Sequence, residues 1–159
     1  MIGLHSDLPV EIVELESEAE TAALARWLAG FARAGDFLAL NGELGAGKTA
    51  LARAFLRVAT DDPELETPSP TFTLVQTYDG VETPLVHADF YRLQSPAEAD
   101  EIGLDDYRCG AALLAEWPDH AGGFGHEPGC LTIRMETMDK GRRAIVEPGL
   151  LWLKRLSWI

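Results

Sequence analysis

The chain has 159 residues, and its 26 Asp and Glu against 13 Lys and Arg give a formal charge of −13 and a pI near 4.6. That balance weighs against a protein that grips nucleic acid alone, which needs a basic patch to neutralise phosphates. A hydrophobic content of 47% suffices for an independent core and excludes a disordered chain. Cys109 and Cys130 make no disulfide scaffold, the opening residues lack the regions of a secretion signal, and no stretch approaches the ~18 apolar residues of a membrane span. The expectation is one cytoplasmic domain over residues 1–159.

Val10–Leu15 reads as a first short strand, and Ser17–Glu18–Ala19–Glu20 as a capping box. Leu24, Trp27, Leu28 and Phe31 follow at helical spacing, predicting one apolar stripe on a helix that ends near Gly35. Phe37–Leu40 is an apolar run of strand length leading into a glycine-rich turn. From Lys48 to Ala59 the pattern is helical again, with Leu51, Phe55 and Val58 expected inside. Thr67–Pro68–Ser69–Pro70 keeps the chain extended. Thr71–Tyr78 and Pro84–Phe90 predict a hairpin around Asp79–Gly80. Ser95 before Pro96 predicts the cap of a short helix through Glu101. Ala111–Ala115 is a buried-strand run ending in Glu116. Cys130–Glu136 and Arg142–Val146 alternate like paired strands, and an amphipathic segment over Leu150–Ile159 closes the chain. Strands alternating with helices and then a meander predict a three-layer α/β domain with a mixed, mainly parallel sheet.

Gly42–Glu43–Leu44–Gly45–Ala46–Gly47–Lys48–Thr49 fits GxxxxGK[ST] in full, between a predicted strand and a predicted helix. At this composition a chance match has a probability of about two in a thousand. The glycines let successive N–H groups point inward at the positive end of a helix dipole, so an acidic protein can still hold a triphosphate. Lys48 would reach the β- and γ-phosphates, and the Thr49 hydroxyl would ligate Mg²⁺. Such a loop needs a second acid at a neighbouring strand end. Glu116 and Asp89 both qualify, each closing an apolar run. Leu85, His87 and Asp89 share one face by the period of two, although a lone His87 is more often a structural residue than a base. The cysteines and the four histidines lack zinc-ligand spacing.

The order GELGAGKT, SPTFTLVQTY, HADFYRL, EADEIGLDDY and LLAEWP resembles the bacterial TsaE (YjeE) family, from about Ser17 to Val146. The resemblance implies a P-loop NTPase-like fold and an ATPase that binds ATP and Mg²⁺ and serves tRNA threonylcarbamoyladenosine biosynthesis. It implies nucleotide contacts from Glu43, Leu44, Gly45, Ala46, Gly47, Lys48, Thr49 and Ala50, metal ligation by Thr49 and Glu116, and a catalytic set of Lys48, Asp89 and Glu116. Ser69, Pro70 and Thr71 match a loop facing the γ-phosphate, and Thr21 and Arg143 match positions near the nucleotide. The family partner is the TsaB–TsaD pair, with tRNA engaged only through that assembly. A small-molecule kinase and a nucleotide-gated binding module are the competing readings. The acidic run Glu98–Asp106 reads as a solvated face or as a docking surface for a basic patch.

Overall fold

The computed structural model describes residues 10–70, 74–125 and 127–156. Its centre is a seven-stranded sheet made of β1 (Glu11–Leu15), β2 (Phe37–Asn41), β3 (Val75–Tyr78), β4 (Leu85–Asp89), β5 (Ala112–Glu116), β6 (Cys130–Thr137) and β7 (Arg142–Pro148). In space the strands run β1-β7-β6-β2-β5-β4-β3. The four central strands β6, β2, β5 and β4 are mutually parallel. The edges are antiparallel, with β7 against β6, β1 against β7, and β3 against β4. β2, β4 and β5 are buried on both faces, which is why β2 and β5 read as continuous apolar runs, with β4 interrupted by His87.

Among the described residues, five α-helices cover the sheet: α1 (Glu18–Ala29), α2 (Lys48–Ala59), α3 (Pro96–Glu101), α4 (Leu104–Arg108) and α5 (Leu150–Leu156). Leu38, Leu40, Leu114 and Ile133 point to the face covered by α1, α2 and α5. Phe37, Ala39, Val86, Leu113 and Ala115 point to the opposite face, where Ala99 of α3 and Leu104 of α4 pack. The three expected layers are therefore present. On α2, burying Leu51, Phe55 and Leu56 contributes roughly 1.5–3 kcal/mol each.

Several local expectations shift. α1 stops at Ala29, and Gly35, at φ +90°, turns the chain into β2 instead. Ser17 accepts from the Glu20 N–H, but the Glu20 carboxylate reaches back to the Glu16 N–H, one residue before the expected partner. Trp27 lies on the rim, edge-on to Phe31. Val58 is exposed too, whereas Ala25 of α1 and Ala52 of α2 are wholly buried in the core. Ser95 takes the cap position of α3 without a side-chain bond, and Glu98 instead accepts from the Gln94 N–H. Residues 71–73 of the expected first hairpin strand, and 157–159 of the closing segment, lie outside the described residues. Among the described residues, no helix is long and apolar enough to cross a membrane.

Candidate functional site

β2 ends at the centre of the parallel block, and the chain turns there into α2. Gly42 sits at φ +142°, and a Cβ on it would stand 2.6 Å from the Met135 carbonyl oxygen of β6. Only glycine lets the turn lie that close to the neighbouring strand. Gly47, at φ +103°, occupies the position before α2, and among the described residues no side chain caps the helix. The first N–H groups of α2 are therefore offered to a ligand, at the end of the helix that favours negative charge.

The cleft above this turn encloses about 450 Å³ and is lined by Leu44, Gly45, Gly47, Lys48, Thr49, Ala50, Ser69, Asp89, Tyr91, Glu116 and Trp117. Lys48 is buried, and its ammonium donates to the carbonyls of Gly42 and Glu43. It also stands 4.2 Å from the centroid of the Trp117 ring. Burial pulls the Lys48 pKa below its ordinary value, while the carboxylates of Glu116 and Asp89 oppose that shift.

Glu116 closes β5 and is 3% exposed. Its Oε1 accepts from the Thr49 hydroxyl at 3.1 Å, and its Oε2 lies 2.9 Å from His87 Nε2. Asp89 closes β4 in register with Glu116, and its Oδ1 accepts from the Tyr91 N–H at 2.9 Å. Trp117 follows Glu116 in the left-handed region, at φ +56° and ψ +50°, a costly conformation for a bulky side chain. Tyr91, Trp117 and His120 form an aromatic group, and His120 Nδ1 ties it to the carbonyls of Phe90 and Tyr91. The hydroxyl of Thr49 and the carboxylate of Glu116 are hard oxygen donors beside an anion cradle. Such a set fits Mg²⁺, which takes one or two carboxylates and completes its shell with phosphate oxygens and water.

A family model described as "Threonylcarbamoyl adenosine biosynthesis protein TsaE" matches residues 15–145. The chain belongs to the TsaE family. A tRNA threonylcarbamoyladenosine biosynthesis protein TsaE from Rickettsia conorii is 36% identical over 131 residues, covering 81% of this chain and 73% of that protein. The TsaE protein of Aquifex aeolicus is 30% identical over 133 residues, covering 84% and 92%. Among solved structures, the crystal structure of Bacillus subtilis YdiB superposes with a TM-score of 0.73 at 29% identity, covering 95% of this chain and 96% of that one. The role of this TsaE-family chain lies in tRNA threonylcarbamoyladenosine biosynthesis.

The residues singled out from the sequence do not all meet in one place. Leu44, Gly45, Gly47, Lys48, Thr49, Ala50, Asp89 and Glu116 meet in the one cleft. Glu43 and Ala46 face a second cleft of about 660 Å³ that shares the Trp117 side chain with the first. Thr21 is buried on α1, in a small depression also lined by Ala50 and Arg53. Thr71 lies outside the described residues.

Arg143 stands elsewhere, with its Nε donating to Glu14 at 2.9 Å across the β1–β7 edge. Its neighbour Arg142 is the one that reaches the phosphate turn, donating through Nη2 to the Gly45 carbonyl at 3.1 Å. Adjacent strand residues point to opposite faces, so one residue of register separates the two. Sequence reasoning did not assign Arg142, and it gave no bond to His87. The signal available for His87 was its place two residues before Asp89 on a buried run.

Proposed function

We propose that this TsaE-family chain is an Mg²⁺-dependent ATPase that supports tRNA threonylcarbamoylation in company with a TsaB–TsaD type complex. The observation that carries this reading is the meeting of Lys48, Thr49 and Glu116 at the mouth of an uncapped helix N-terminus. The N–H groups of Gly45 to Thr49 would hold the phosphates, and Lys48 would leave the carbonyls of Gly42 and Glu43 to pair with the β- and γ-oxygens. Thr49 and Glu116 would hold Mg²⁺, which when bound would neutralise charge on the phosphate oxygens. Asp89 would orient a water for in-line attack on the γ-phosphorus, with ADP as leaving group and the preorganised donors stabilising the developing charge. The tRNA would be engaged by the assembly as a whole, since −13 leaves little basic surface here.

The test follows labelled phosphate from ATP. Release as free phosphate, stimulated by Mg²⁺ and abolished in Lys48→Ala, supports the reading. Label on an acceptor molecule would make the chain a kinase instead. Tight binding with no release in the presence of the partner complex would reduce it to a nucleotide-gated module. Co-purification with TsaB–TsaD, with and without ATP, tests the partnership.

A further inference from the structure

His87 lies on β4 with only 1% of its surface exposed, between Gln76 of β3 and Leu114 of β5 in register. Burying an imidazole is costly unless its polar atoms find partners, and an aliphatic residue would fill the same space without that cost. Among the described residues only one ring nitrogen finds a partner. Nε2 lies 2.9 Å from Glu116 Oε2, while Nδ1 is buried without a hydrogen bond. An acceptor lone pair left without a partner is tolerated better than an orphaned N–H. A carboxylate only accepts, so the 2.9 Å contact is a bond that Nε2–H of His87 donates to Glu116.

Glu116 is equally enclosed, and its two oxygens have different partners. Oε1 faces the Thr49 hydroxyl in the cleft, and Oε2 is held from behind by His87. We propose that His87 is a positioning residue that fixes the carboxylate of Glu116 with one oxygen turned to the metal side of the phosphate cleft. The ring does not touch the nucleotide or the metal; it acts through Glu116. A hydrogen bond from behind a ligating group sets its orientation, and losing such a partner typically weakens metal binding by about 10–100-fold. The inference rests on the reading of Thr49 and Glu116 as magnesium ligands.

The experiment measures ADP binding to the full chain by calorimetry while Mg²⁺ is titrated, for wild type, His87→Phe and His87→Gln. Phenylalanine keeps the ring volume without a donor, and glutamine places an amide N–H near the Nε2 position. Expected is a rise of about 10–100-fold in the half-saturating Mg²⁺ concentration for His87→Phe, with ADP affinity in EDTA unchanged. His87→Gln should recover most of the loss, which a purely structural role would not allow. A wild-type midpoint in His87→Phe, or a His87→Gln variant no better than His87→Phe, overturns the proposal. In the metal-free wild type, ring ¹⁵N shifts should report the proton on Nε2, and a proton on Nδ1 alone also overturns it. ADP binding by the wild type that is indifferent to Mg²⁺ would instead remove the ligand assignment beneath the proposal, and the proposal with it.

Discussion

Thr49 and Glu116 stand 67 residues apart in the chain, and their side chains meet at 3.1 Å, hydroxyl to carboxylate. One opens α2 and the other closes β5, so the pair exists only because β5 lies beside β2 in the parallel block. A pair of oxygen donors set in advance costs little reorganisation when a cation arrives. Glu116→Ala should therefore raise the Mg²⁺ concentration needed for nucleotide binding by about tenfold or more, with the fold retained. A Mg²⁺ titration of ADP binding reads the effect, and an unchanged midpoint would show that Glu116 is not a ligand.

Lys48 bonds its own loop in this structure, through the carbonyls of Gly42 and Glu43, with the Trp117 ring on its flank. A phosphate offers stronger, charge-assisted bonds than those carbonyls. Lys48→Ala should lower ATP affinity by about 10–100-fold, the range expected when a hydrogen bond to a charged group is lost. Equilibrium binding of a fluorescent ATP analogue measures it, and wild-type affinity would contradict the cradle.

The lowered pKa of Lys48 gives two pH effects of opposite sign. Phosphate binding needs the charged amine, so nucleotide affinity should begin to fall at a pH below the ordinary lysine value of 10.5. Stability of the empty chain responds the other way. Between the lowered folded value and the ordinary unfolded value, the unfolded chain binds more protons, so this group's contribution to stability rises with pH. Urea titrations and binding curves over one pH series should diverge in this way. Lys48→Met should remove Lys48's contribution to both trends.

The phosphate turn was legible because its signal is local: a strand, spaced glycines and a helix start within a dozen residues all state the same geometry. Glu116 was legible as a candidate because a buried strand that ends in an acid must place that acid at the strand's end. What the sequence left open depended on register and on neighbours. Arg142 and Arg143 differ by one position, and only the pairing of Glu14 with Arg143 and of Leu15 with Arg142 decides which of them can reach Gly45. Trp27 and Val58 sit within plausible apolar stripes, yet α1 and α2 wholly bury Ala25 and Ala52, small residues that a stripe of large side chains passes over. The bond from His87 to Glu116 spans 29 residues and two strands, and no spacing along the chain announces it.

The left-handed backbone at Trp117 makes a last prediction, because nothing in an EWP sequence demands it. The residue is held there on two sides: its N–H donates to the Leu40 carbonyl at 3.3 Å, and its ring packs on Lys48, Tyr91 and His120. For a residue with a Cβ the left-handed region costs about 1–2 kcal/mol, and for glycine almost nothing. If the loop imposes the conformation, Trp117→Ala loses the ring and keeps the strain, whereas Trp117→Gly loses both. The glycine variant should then be the more stable of the two by about 1 kcal/mol in urea denaturation, against the usual penalty for glycine. Both should weaken nucleotide binding alike, since both remove the ring beside Lys48. An alanine variant as stable as the glycine variant would mean that the indole itself holds the backbone there, and that the loop relaxes once the ring is gone.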